Sequence, residues 1–169
     1  MLKLSNSKLY QSTDDGSVQF VGDAPDDELN SFVRTIDCLP ESFKAYQFDA
    51  EIINSGDDDS ISVGLVGETS DRSPGMNPNT IDIYGFDGSI CRDGQEVLSG
   101  LSFTTGDTIS CKVHRNKITN SQFTITSCEF LKNGESMGKP LNVGGKEFHP
   151  AVGLHSPGAT VRIKFKMTP

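Results

Sequence analysis

The chain has no tryptophan, only four cysteines in 169 residues, and few basic residues. Each shortage excludes something. Without tryptophan, a flat aromatic platform for stacking sugars has little to draw on. Cys38, Cys91, Cys111 and Cys128 form no Cys-x-x-Cys pair and fit no zinc spacing. No apolar run approaches the length that spans a bilayer. A formal net charge of -8 disfavours nucleic acid or an anionic membrane surface as the main partner, because phosphate binding rests on basic patches. No secretory leader is visible at the start, so reduced thiols and a cytoplasmic or nuclear setting are expected.

Helical periodicity is also scarce. Asp26 to Arg34 offers one turn of helix after Pro25, but Ser31 to Thr35 reads better as a strand. Elsewhere the apolar period is two, the mark of half-buried strands. Phe43 to Ile53 alternates Tyr46, Phe48, Ala50 and Ile52 against Gln47, Asp49 and Glu51. Asn54 to Ser60 turns the chain, and Ile61 to Val66 returns as the second arm of a hairpin. Residues 67–80 form a polar loop. Ile81 to Tyr84 and Ser89 to Arg92 flank the turn Gly85 to Gly88. Residues 93–106 read mostly as turn, with Val97, Leu101 and Phe103 packing down.

Asp107 to His114 and Phe123 to Lys132 follow as strands, with Cys111 inward. Asn133-Gly134 then supplies the positive φ that a tight hairpin needs. Phe148 to Leu154 and Thr160 to Phe165, joined by a Ser-Pro-Gly turn, complete the set. The 17 glycines and 8 prolines suit many short strands joined by tight turns. One domain over 1–169 is expected, with 1–30 as flanking strands and loop. Residues 1–104 carry six cations against nineteen acids, and 105–169 carry nine against four. Interleaved halves need not turn that asymmetry into a basic face.

Several segments in order resemble the SPRY domain family, in the form found in a Ran-binding protein of the microtubule-organising centre. Tyr46 to Ile52 resembles its "YYFEVxI" strand and Ser62 to Leu65 its "IGIGL". Tyr84 to Gly88 resembles "YHGDDG", and Phe103 to Cys111 "FTTGDVIGC". Lys132-Asn133-Gly134 with Met137-Gly138 matches "KNGxxLG", and Pro150 to Ala159 resembles "YPTVGLQTPGE". Residues 114–128 are longer than the family's connection, which implies an extended hairpin or a special loop. The closing "NFG" is replaced by Lys164-Phe165-Lys166, making the expected sheet edge there more basic. The resemblance implies an all-β, bent antiparallel sandwich of the concanavalin-like jelly-roll kind. It implies no catalysis, no cofactor, and binding of a peptide or protein surface through loops at one end. Family members serve as recruiting parts of ubiquitin ligases and of other complexes. A monomer is expected.

The candidate contacts lie on two connections. Arg72, Met76 and Asn77 in the loop 67–80 offer a forked donor, an adaptable apolar contact and an amide. His155, Ser156 and Pro157 precede the last strand. Loops on a rigid sandwich carry recognition, although either segment could be a plain solvated connection. Hairpin alternation puts the turn 54–60 at the end opposite the loop 67–80. Asp57-Asp58-Asp59 suggests calcium, but an exposed turn seldom converges three carboxylates. Asp49 and Glu51 share a strand face, as a glycosidase pair would, yet are expected in solvent. His114, His149 and His155 have no nucleophile partner in a recognisable turn. Tyr84 and Phe86 are expected at core or rim. A carbohydrate-binding or carbohydrate-cleaving sandwich, or a purely structural module of a larger chain, are the alternatives.

Overall fold

The period of two is realised as fifteen strands in a computed structural model. The structure describes residues 2–4, 8–26, 32–39, 44–67, 73–76, 78–117, 124–143 and 147–168. The strands are β1 (Leu2–Leu4), β2 (Tyr10–Ser12), β3 (Ser17–Phe20), β4 (Val33–Thr35), β5 (Ala45–Asn54), β6 (Ile61–Gly67), β7 (Ile81–Tyr84) and β8 (Ser89–Arg92). They continue as β9 (Gln95–Ser99), β10 (Thr108–Lys117), β11 (Thr124–Lys132), β12 (Glu135–Ser136), β13 (Leu141–Val143), β14 (Phe148–Leu154) and β15 (Thr160–Thr168). One sheet runs β1-β4-β14-β6-β7-β8-β9; the other runs β12-β11-β10-β5-β15-β3-β2, with β13 also pairing β11. All pairings are antiparallel. The chain is an all-β sandwich, as its alternation predicts.

The core lies between the sheets. Tyr46, Phe48, Ala50 and Ile52 of β5 are buried, as are Ile109, Cys111 and Val113 of β10. Ile61, Val63 and Leu65 of β6, with Phe148, Val152 and Leu154 of β14, close it from the other side. Each large side chain removed from water contributes about 1.5–3 kcal/mol. The N-terminal strands belong to this core: Tyr10, Val18 and Phe20 are buried, and the Tyr10 hydroxyl donates to the Leu154 carbonyl at 3.0 Å.

Two features differ from the sequence reading, and a third matches one of its alternatives. Residues 93–106 contain a strand, β9, which ends the seven-stranded sheet. Asp93 and Gly94 both have positive φ (54° and 81°), the backbone of a two-residue hairpin turn. Val97 and Leu101 therefore point to solvent, and only Phe103 packs down. Second, β15 lies inside its sheet, between β5 and β3. Even so, β3 pairs only with Thr160–Arg162, whereas β5 follows β15 to Thr168. Third, of the two forms expected for the long connection, the structure has the extended hairpin: β10 and β11 stay paired out to Lys117 and Thr124.

Candidate interaction surface

Both faces of β6, β7 and β14 are buried. The inner faces meet the core; the outer faces carry Ser62, Asp82, Tyr84 and Gly153, types that usually meet water. Register sets Ser62 between Gly153 and Tyr84, and Gly64 between Ala151 and Asp82. Ser73 to Gly75, all buried, lie against this face. Ser73 Oγ lies 3.2 Å from His155 Nε2, and a Cβ on Gly75 would overlap the Asp82 carboxyl. At the far end the Gly94 amide donates to the Gly75 carbonyl at 2.6 Å. The described part of this loop, 73–76, thus crosses the sheet instead of staying at one end.

That crossing brings one predicted pair of segments together and separates another. Ser73 meets His155, while Met76, half-buried, sits beside Gly94. Arg72 and Asn77 lie outside the described residues. His155 and Ser156 are interior, 2% and 1% exposed, and Pro157 is half-buried. The Asp26 carboxylate stands 3.6 Å from His155 Nδ1, beyond hydrogen-bond length. Burial outweighs that carboxylate and pushes the His155 pKa down to about 4, so the ring is neutral near pH 7. Its tautomer follows from whichever proton Ser73 accepts or supplies.

At the β5–β6 end the connections are tied together. The Asn54 side chain accepts from the Gly56 amide at 3.0 Å. Gly56 has φ of 74°, and a Cβ there would overlap Ser156 Oγ. This turn therefore packs on the Ser156–Gly158 turn. The Thr105 hydroxyl accepts from the Ser55 amide at 3.0 Å, and the Thr104 hydroxyl donates to Asp59 at 2.7 Å. The Gly85 amide donates to the Ile61 carbonyl and the Phe103 amide to the Gly85 carbonyl, both at 2.9 Å. The Gly100 amide reaches the Gly88 carbonyl at 2.7 Å. Burial raises the Asp107 pKa, but bonds from Asn133, the Thr104 amide and Lys132 outweigh it and hold the carboxylate low.

Two side chains project from this tied backbone. Phe86 is 58% exposed and Leu101 60%, the highest values among the described large apolar residues. Phe86 also packs edge-on against Tyr84 at 5.9 Å between ring centres. Leu101 was expected to pack down and Phe86 to sit at core or rim. The flanking glycines in Tyr-Gly-Phe-Asp-Gly were the available signal that Phe86 caps a turn.

The remaining candidates are engaged elsewhere. Asp49 is nearly buried, not in solvent: Ser110 Oγ, Gln47 Nε2 and Lys166 Nζ each reach it at 2.7 Å. Burial raises its pKa, but these partners prevail and hold it below the usual range. Glu51 pairs with Arg162 at 3.2 Å and Lys164 at 3.6 Å. Asp49 therefore does not store the proton that glycoside cleavage needs. The cations of β15 thus answer the acids of β5, while Lys164 and Lys166 remain exposed past the stretch that β3 pairs. Asp59 is turned toward Thr104, and among the described residues no three metal-ligating groups converge.

No family model matches the chain. Ran-binding protein 9 of Danio rerio is 34% identical over 151 residues, 88% of this chain and 24% of the relative. SPRY domain-containing protein 3 of Pongo abelii is 30% identical over 124 residues, 69% of this chain and 26% of the relative. The chain thus spans about a quarter of the length of these curated relatives. A crystal structure of a human SPRY domain superposes with TM-score 0.74 and 22% identity, covering 96% of both chains. The carbohydrate-binding module CBM66 of Bacillus subtilis gives 0.53 with 10% identity, covering 99% of this chain and 93% of that one, a likeness of fold alone. Strand order, ordered motifs and these relatives agree: the chain belongs to the SPRY domain family.

Proposed function

We propose that the chain is a protein-interaction module that grips a short extended peptide, or a small patch of a folded protein, through connections held on its sandwich. The observation that carries this is the tied end just described. Its turns are hydrogen-bonded to one another, yet they project large apolar side chains into water. Ordered loops lose little entropy on association. Exposed neighbouring apolar groups on a rigid frame mark contact surfaces. The grip extends along the segment 72–77 and the Pro157 turn, with His155 and Ser156 as buried supports that fix where the turn stands.

The partner is a polypeptide, not nucleic acid or membrane, in keeping with the net charge of -8. The four free thiols suit a reducing cytoplasmic or nuclear setting. The module acts as a monomer and recruits its partner to a larger protein or complex, such as a ubiquitin ligase. It carries out no chemistry itself.

Affinity capture with Arg72→Ala, Met76→Ala and Pro157→Ala checks this. Each substitution weakens capture of the bound protein and leaves the melting temperature within about 2 °C of wild type, on the order of 0.5–1 kcal/mol or less. Hits on a glycan array, with peptide capture absent, would favour a carbohydrate-binding sandwich instead.

A further inference from the structure

The apolar pair at the tied end has a charged surrounding that selects among partners. Phe86 and Leu101 stand on backbones joined by two hydrogen bonds, Phe103 amide to Gly85 carbonyl and Gly100 amide to Gly88 carbonyl. The turn from Asn54 to Ser60 touches the same place: the Asp59 carbonyl oxygen would lie 2.6 Å from a Cβ on Gly85. Three exposed acids lie on these adjoining turns: Asp57 and Asp58 next to Asp59, and Asp87 beside Phe86. No cation among the described residues engages Asp57 or Asp58. Lys132, the lysine reaching this end, is held by Asp107 at 3.5 Å and the Ser102 carbonyl at 2.8 Å. Beneath Phe86, the Tyr84 hydroxyl is buried without a hydrogen-bond partner, and so is Ser156 Oγ under the acidic turn.

We propose that Phe86 and Leu101 form the anchor of a docking surface for a cationic polypeptide segment, in which one aliphatic or aromatic residue is flanked by lysine or arginine. The apolar residue seats on the Phe86–Leu101 pair and removes its area from water. The flanking cations meet Asp57, Asp58 and Asp87, where complementary charge speeds encounter and rejects acidic competitors. The backbone here is already ordered, so the anchor is preformed. This deepens the interaction-module reading and rests on it.

Selection from a random phage-displayed 12-residue library on the intact chain tests both, with the best enriched peptide then synthesised for titration. The expected peptides carry a large apolar residue between lysines or arginines. Their dissociation constant rises at least tenfold with Phe86→Ser plus Leu101→Ser. It rises several-fold with Asp57→Asn plus Asp58→Asn, and again between 50 and 300 mM salt. These side chains are exposed, and an unchanged melting curve for each variant confirms that the fold is intact. Enrichment of acidic or uncharged peptides overturns the inference, and so does binding that these variants leave unmoved. Light scattering that shows self-association abolished by Phe86→Ser would assign the patch to a second copy of the chain and overturn it too. Peptides that bind but respond only to Met76→Ala or Pro157→Ala would sink this inference and leave the module reading intact. Failure to enrich any peptide would remove this inference together with the peptide form of the module reading.

Discussion

Asp82 retains a proton that the unfolded chain gives up. Complete burial, and secondarily the nearby Asp87 charge, raise its pKa well above the carboxylate value, and neither oxygen has a hydrogen-bond partner. The unfolded acid ionises near 3.8 while the folded acid does not. Stability at this site is therefore lost as pH rises above that value, until the folded pKa is reached. Asp82→Asn removes the titration. Calorimetry should find its melting temperature equal to wild type near pH 4 and increasingly higher toward pH 8, by roughly 2–4 °C per kcal/mol recovered. His155 works in the other direction. Its ring stays neutral down to about 4 while the unfolded ring takes a proton near 6.5. Wild type should lose up to about 3 kcal/mol between those pH values. His155→Gln should flatten that limb in a denaturation series taken across it. Neither behaviour was legible in the sequence. Asp82 sits where strand alternation assigns a solvent-facing residue, and the segment that covers it comes from seven residues upstream without any period to announce it.

The strands themselves were the readable level. Inward residues of β5, β6, β10 and β14 follow from alternation alone, because one slip of register would turn every side chain to the other face. What failed was local and physical. Asp93-Gly94 is as good a hairpin signal as Asn133-Gly134, but the run after it, Gln95 to Ser99, lacks alternating apolar residues because β9 is an exposed edge. The pairing of β15 with β5 likewise could not be read from charge. It decides which ion pairs matter. Ser110 Oγ donates to a nearly buried Asp49, whereas Lys164 is exposed beside a half-exposed Glu51. Urea titrations should show Ser110→Ala losing about 1–3 kcal/mol and Lys164→Ala under about 1 kcal/mol. Equal losses would mean that the two sites are screened alike.

At the scale of the molecule, the early strands β2 and β3 share a sheet with the last strand. β3 pairs with β15, and Tyr10 bonds to Leu154 at the end of β14. The segment 1–30 looked like a flank in the sequence because its apolar residues are few and its strands short. Yet removing it takes Tyr10, Val18 and Phe20 from the core, about 1.5–3 kcal/mol each. Domains of this size hold only about 5–15 kcal/mol in total. A chain starting at residue 31 should show no cooperative thermal transition, and retention of one would make the early strands ornamental. The pairing of distant segments also places folding among the slower topologies, milliseconds to seconds. Among the described residues, no strand covers that flank of β15 beyond Arg162, where the pairing with β3 ends. An unsealed ribbon of this sort can recruit a stranger's backbone into a growing fibril. Lys164 and Lys166 stand along it, 62% and 64% exposed. Their mutual repulsion with any incoming copy is a guard against accretion, so the two positive charges protect solubility as well as answering the acids of β5.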